Sequence, residues 1–324
     1  MAVKALSLLL CMGLLSACAA IPQTKMLLAS PPEALPSTVE LTRVPFYPQS
    51  ENQCGPAALA TVLQFHGVKV RPEDLSKLLY IPDLEGSLQI EMTAAARAHA
   101  MLPYPLAPYL VDLLTEIAAG NPVLVLQNLG FAWYPQWHYS VVVGYDIRQR
   151  EITLRSGTTK RWTTPFKVFE RTWQRSNFWA LVVLPIGEVA KTAEPVNYLK
   201  AAYDLEILGH SRLALKAYQA ATEHWPEVAT PWLTLGNLAY SEHNWPEAIS
   251  AFSAAASIAP ESVESWNNLA YALNAQGCKQ QSEIALKCAL TIAPDDPNLH
   301  DSWQDLMLGS VSGDQVGCPV VLCK

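Results

Sequence analysis

The chain is short of positive charge: 22 lysines and arginines face 29 acidic residues over 324 positions, a net charge of -7. Nothing basic is concentrated enough to track phosphates, which argues against a nucleic-acid partner. Charged residues of both signs reach only 16% and half the chain is hydrophobic, so most of it should fold around real cores. Seven cysteines are too few for a disulfide scaffold, and each must be read by its position. No cysteine–histidine cluster has metal-ligand spacing, so neither metal nor cofactor is expected. A glycine-rich loop for ATP is missing. No apolar run approaches the ~20 residues needed to span a bilayer.

One shorter apolar run opens the chain. Lys4 supplies a positive n-region, Ala5 to Leu15 an apolar h-region, and Leu15-Ser16-Ala17-Cys18 a processing site, so residues 1–17 read as a signal peptide. The small residues directly before Cys18 resemble the lipobox of bacterial lipoproteins. That resemblance implies a diacylated Cys18 as first residue of the mature chain, and several acyl chains on one residue anchor stably to a membrane. With Ala19 following, it further implies the outer membrane, facing the periplasm. Residues 18–40 carry Pro22, Pro31, Pro32 and Pro36 among Ser, Thr and Ala, a composition that suits an extended tether.

Residues 41–187 mix helical and strand patterns. A helix is expected from Gly55-Pro56 to His66, stopped by Gly67, with others over 72–80, 87–100 (Ser87 as N-cap) and 108–119. Strands are expected at 123–126, 140–143, 151–154 and 180–183, which makes the domain α+β. After a polar junction at 188–194, Pro226, Pro260 and Pro294 stand 34 residues apart, the tetratricopeptide period. The columns agree: Tyr198, Trp232 and Trp266; small Ala202, Gly236 and Ala270; Tyr218, Phe252 and Leu286; Ala221, Ala255 and Ala289. Residues 195–308 are therefore three such repeats plus a capping helix, an all-α solenoid, with a tail at 309–324. The resemblance places Tyr203, Asn237, Tyr240, Asn267, Tyr271 and Asn274 on the concave face, where a protein or extended peptide would bind.

The chemistry centres on Gln49-Ser50-Glu51-Asn52-Gln53-Cys54-Gly55-Pro56. A cysteine at a helix start feels the positive end of the macrodipole, which favours thiolate. A nucleophilic thiol also needs a base. His138 opens the strand Trp137-His138-Tyr139-Ser140, where a side chain can reach the end of a sheet, whereas His66 ends the cysteine's own helix ~18 Å away. Gln-x4-Cys-Gly-Pro followed by a Trp-His-Tyr strand resembles the bacteriocin-processing, double-glycine leader peptidases, which are papain-like cysteine peptidases. Across residues 41–187 that resemblance implies Cys54 as nucleophile and His138 as general base. It also implies that Gln49 donates to an oxyanion beside the Cys54 N–H, a stabilisation of ~3 kcal/mol in such sites. Peptide-bond hydrolysis through a thioester follows. The family's orienting Asp or Asn is absent; the residue opposite His138 is near Ser156, which is placed to orient the ring, while Asp146 lies at the far end of the hairpin.

Other features have two readings each. Residues 86–92 either border the site or cap a helix, and Trp133, Tyr134, Pro135 and Trp137 either wall a substrate cleft or fill core. Cys278 and Cys288 are too far apart along one helix to pair with each other, while Cys318 and Cys323 could close a small loop in an oxidising periplasm. The expectation is a lipid-anchored cysteine peptidase whose repeats recruit a protein or peptide. The rivals are an inactive lipoprotein adaptor and a cell-wall peptide amidase.

Overall fold

The computed structural model describes residues 21–49, 52–308 and 317–323. The signal peptide, Cys18 and residues 309–316 lie outside the described residues. The chain divides into two compact units, one containing residues 105–183 with most of what precedes them, the other containing everything from 193 on.

Between residues 21 and 185 the elements run α1 (Pro22–Ala29), β1 (Thr38–Glu40), α2 (Cys54–Phe65), α3 (Pro72–Leu79), α4 (Gln89–Ala98), β2 (Met101–Pro105), α5 (Leu110–Ala118), β3 (Val123–Asn128), β4 (Trp137–Asp146), β5 (Glu151–Ser156), β6 (Thr159–Pro165), α6 (Phe166–Gln174) and β7 (Ala180–Pro185). The strands form a seven-stranded sheet in the order β2-β7-β3-β4-β5-β6, with β1 also pairing with β4. Every residue of β3 is buried, as are residues 139–145 of β4. Strands reading as near-continuous apolar runs are those covered on both faces. Helix α2 supplies part of that cover and is itself buried from Gly55 to Leu63. Gly144 is needed where β1 crosses β4, because a Cβ there would sit 2.6 Å from the Val39 carbonyl oxygen.

Two expectations in this unit are corrected. Residues 22–29 and 38–40 are not an extended tether: they form α1 and β1, the latter paired from Thr38↔Asp146 to Glu40↔Gly144. Pro22 starts a helix, where its missing N–H costs nothing. The free N–H groups of Gln23 and Thr24 are then met by the fully buried carboxylate of Glu170, at 3.0 and 2.7 Å. A cap supplied from so far along the chain leaves no local signature. Nor does Ser87 cap α4: the N-cap position is Leu88, without a side-chain bond.

The second unit contains α7 (Pro195–Ile207), α8 (Ser211–His224), α9 (Ala229–Ser241), α10 (Trp245–Ile258), α11 (Val263–Ala275), α12 (Lys279–Ile292) and α13 (Pro297–Leu308). These are three helix pairs and a terminal helix, and most of the expected column residues are core. Tyr198, Trp266, Ala202, Ala270, Tyr218, Phe252, Leu286, Ala221, Ala255 and Ala289 are buried, while Trp232 is half-buried. Gly236 lets α9 and α10 close up, since an added Cβ would stand 2.5 Å from the Phe252 ring. The 34-residue period is also a hydrogen bond: Trp232 Nε1 donates to the Pro226 carbonyl (3.1 Å) and Trp266 Nε1 to that of Pro260 (2.8 Å). His300 Nε2 meets the Pro294 carbonyl at 2.9 Å.

The cysteine expectation is corrected here. Cys318 and Cys323 do not pair with each other; the disulfides are Cys278–Cys318 and Cys288–Cys323. Each tail cysteine meets one end of α12, and between them Val321 is buried and its N–H donates to Gln281 Oε1. The separation that forbids a Cys278–Cys288 bond is what lets the tail lie along the helix.

Candidate active site

The nucleophile candidate stands where the chain turns into α2. Asn52 has a left-handed backbone (φ 61°), Gln53 is the N-cap, and Cys54 is the first helical residue. Pro56 falls within the first turn, whose N–H groups have no intrahelical partner. Gly55 is required by contact, because a Cβ would lie 2.7 Å from Ser87 Oγ and 2.9 Å from Ser87 Cβ. Ser87 Oγ is buried and has no hydrogen-bond partner.

His138 opens β4, paired with Gln127 of β3. Its Nε2 lies 2.9 Å from Ser156 Oγ at the end of β5. One ring nitrogen is thereby occupied, leaving Nδ1 for the other side. Asp146 is engaged elsewhere, accepting from Thr38 Oγ1 and Gln149 N. Ser156, which the sequence places near His138, is the side chain in contact with the ring.

Gln49 is tied on three sides. Its N–H donates to Gly157 O (2.9 Å), its Oε1 accepts from Gly157 N (2.8 Å), and its Nε2 donates to Tyr139 O (3.2 Å). It thus clamps the turn after Ser156 to the strand carrying His138. One amide hydrogen remains for a ligand.

Cys54, His138, Gln49 and Asn52 all line one cavity of about 860 Å³. Leu84, Ser87 and Leu88 form one part of its wall and Pro135, Trp137 and Asn177 another. Residues 86–89 therefore do border the site. Of the aromatic run, Pro135 and Trp137 line the cavity, while Trp133 and Tyr134 do not. The sequence reading missed Asn52 and Asn177, both with positive φ and both on the cavity wall. An Asn in a non-repetitive segment was the only hint of either, since Asn tolerates the left-handed region.

Electrostatics run against the simple helix-dipole expectation. Burial pushes the Cys54 thiol up, and the backbone N–H groups of Tyr139, Gly55 and Cys54 that face the sulfur only oppose it. Burial also holds the His138 imidazole below its ordinary value. Both shifts favour a neutral thiol and a neutral imidazole on the cavity wall. Tyr139 is pushed well up by burial and then by Cys54, so its phenol stays protonated and donates to Ser87 O at 3.2 Å.

The expected concave-face residues fare unevenly. Tyr203 and Asn237 are exposed, and Asn237 Oδ1 accepts from Asn268 Nδ2 at 2.9 Å. Tyr240 is half-buried with its ring 5.0 Å from that of Trp245. Burial raises the Tyr271 phenol, which bonds to Ser302 and Asp305 of α13. Asn267 and Asn274 are half-buried, and Asn267 Oδ1 is enclosed without a partner. Among the described residues no histidine, cysteine or acidic cluster could hold a metal, and no helix is long and apolar enough to cross a membrane.

Comparison with known proteins follows this division. Residues 41–181 match the Peptidase_C39 like family, and residues 199–262 and 233–297 match the tetratricopeptide repeat. No curated protein sequence matches the chain significantly. Among solved structures, a C39-like peptidase from Bacillus anthracis is 18% identical, with TM-score 0.40, covering 48% of this chain and 100% of its own. A double glycine motif protease from an AMS/PCAT transporter, in complex with its leader peptide, is 20% identical, with TM-score 0.34, covering 44% of this chain and 91% of its own. The first tetratricopeptide domain of Spaghetti, bound to an HSP90 peptide, is 10% identical, with TM-score 0.33, covering 35% and 93%. On the family matches and the architecture together, the chain carries a Peptidase_C39-like domain of papain-like α+β fold followed by a tetratricopeptide-repeat solenoid.

Proposed function

We propose that the first domain is a cysteine peptidase that hydrolyses peptide bonds through Cys54 and His138. The observation that carries the reading is the shared cavity: Cys54 at a helix start and His138 on a strand end line it together, with the imidazole oriented from behind by Ser156. Because burial keeps thiol and imidazole neutral, the thiol proton passes to His138 as sulfur attacks the carbonyl carbon. The oxyanion is met by the Cys54 N–H and the remaining Gln49 amide hydrogen. The amine leaves with the proton from His138. Water, deprotonated by the same ring, then cleaves the thioester and restores the thiol.

The chain is further proposed to be anchored through an acylated Cys18 to the outer membrane, facing the periplasm. Two disulfides in the tail suit an oxidising compartment. The repeats would recruit a protein or peptide, Tyr203 and Asn237 being the most accessible of the proposed contacts.

A fluorescence-quenched peptide library tests the chemistry, with Cys54→Ala and His138→Ala as controls. Cleavage lost in both variants is expected. Cleavage that survives Cys54→Ala overturns the reading. So does an uncut library combined with iodoacetamide alkylation of Cys54 at equal rates with and without His138, which favours a peptidase-like adaptor.

A further inference from the structure

The stretch between β3 and β4 supplies no group to the proposed chemistry, yet it exposes several large apolar side chains close together in sequence. From Asn128 to Trp137 there is no charged side chain. Leu129, Phe131, Trp133, Tyr134 and Trp137 are 50%, 62%, 81%, 63% and 53% exposed. Phe131 and Trp133 stack on each other at 5.6 Å, still open to solvent. Single exposed apolar residues need no explanation, but a contiguous cluster marks an interaction surface.

The backbone of this loop narrows the choice of occupant. Leu129 N donates to Gln136 O, Phe131 and Tyr134 exchange bonds, and Asn128 Oδ1 accepts from Gly130 N and Gln136 N. Arg175 Nη1 takes up the carbonyls of Asn128 and Gly130. A peptide adding itself as a strand would need those groups free. A lipid surface needs no free backbone groups, because apolar side chains alone partition into it. Trp and Tyr are the side chains that collect at the headgroup level.

An acylated Cys18 would also hold a membrane close to this loop. Cys18 is four residues before Pro22, so it reaches no more than ~14 Å from the start of α1. That start is held on Glu170 of α6, and the loop is held on Arg175 at the end of the same helix, ~8 Å further along it. We propose that the 129–137 loop is a second membrane contact, seating Phe131, Trp133 and Tyr134 in the interfacial layer of the bilayer. The choice of a bilayer rests in part on Cys18 being the lipid anchor. Since Pro135 and Trp137 also line the cavity, the site would then open at the lipid surface and serve peptides presented there.

The test uses the mature chain with Cys18→Ser, so that no acyl chain is present, and vesicles of phosphatidylethanolamine and phosphatidylglycerol. The parent should cosediment with the vesicles, and lipids with doxyl-labelled acyl chains should quench its tryptophan emission. Phe131→Ser with Trp133→Ser should lower partitioning by about tenfold or more, with circular dichroism unchanged. The exposed control Leu322→Ser, in the other unit, should have no effect. A parent that stays in the supernatant, or a double variant that partitions equally, overturns the proposal. Acylation of Cys18 is read separately, from the mass of the N-terminal peptide of envelope-derived protein, so failure of the anchor is not confused with failure of the loop.

Discussion

Replacing Ser156 by Asp should arm the thiol. In the present site the ring partner is a neutral hydroxyl 2.9 Å from His138 Nε2. Burial leaves both reacting groups uncharged, the thiol above and the imidazole below their usual values. A carboxylate at that place adds an opposite charge within hydrogen-bonding distance of the imidazole. The extra bond length of Asp can be taken up by rotation about Cα–Cβ, because Ser156 is only half-buried. An opposite charge this close favours the protonated ring by roughly 1.4–4 kcal/mol, and proton transfer from Cys54 shares that gain. Desolvating the new carboxylate returns part of it, so the lower end is the better guide. The thiolate population at pH 7 should therefore rise about tenfold. The readout is the rate of Cys54 carbamidomethylation by mass spectrometry at neutral pH. Ser156→Asp should accelerate it about tenfold in the parent and not in a His138→Ala background. Equal acceleration in both backgrounds would mean that the charge acts on bulk reagent or on the sulfur directly. No acceleration in either would mean that His138 does not communicate with Cys54; both outcomes refute the mechanism.

Three further outcomes follow from packing and titration. Gly55→Ala should cost ~1–3 kcal/mol in chemical denaturation, because its Cβ meets Ser87 at 2.7 and 2.9 Å, and Ser87→Gly should recover most of that in the double variant. Replacing Cys318 and Cys323 by Ser should lower the stability of the repeat unit by up to ~3–4 kcal/mol per bridge, given loops of 40 and 35 residues; an unchanged Tm under reducing conditions would show that the tail contributes nothing. Burial depresses both His138 and His66, so each binds its proton more readily when unfolded. Their contribution is intact above the unfolded value near 6.5 and lost as pH falls through the folded values. Thermal stability should therefore drop below about pH 6.5, less steeply in His66→Phe, and an identical pH profile for that variant would contradict the assignment.

The repeats were the most legible part of the chain, because a 34-residue period in Pro, Trp and Ala columns repeats one local packing solution three times. The candidate pair Cys54 and His138 was legible for a different reason. Cys54-Gly55-Pro56 writes its own helix start, and His138 sits at the edge of an apolar strand. What escaped depended on distant partners. The capping of α1 by Glu170 spans 147 residues, so its prolines read as a tether. The tail disulfides could not be paired from spacing, since both reach back to one helix. The thiol's upward shift comes from enclosure by elements that sequence order does not place beside it, and there burial outweighs the backbone N–H groups that face the sulfur. Elements β2, β6 and α6 were not foreseen either; β6 is mostly exposed and carries no continuous apolar run.

The bond from Trp232 to Pro226, reproduced from Trp266 to Pro260 and from His300 to Pro294, has a consequence for how such an array can change over time. Each joint is closed by a donor six residues beyond the proline it serves, and successive joints are interchangeable. A duplication or deletion of 34 residues therefore rejoins one acceptable joint to another, and the array can lengthen or shorten in whole steps without inventing a contact. At its far end that freedom stops: the tail bonded to Cys278 and Cys288 fits only the helix that bears those cysteines. New units can be inherited anywhere upstream of α12, but the terminal unit must travel together with its tail.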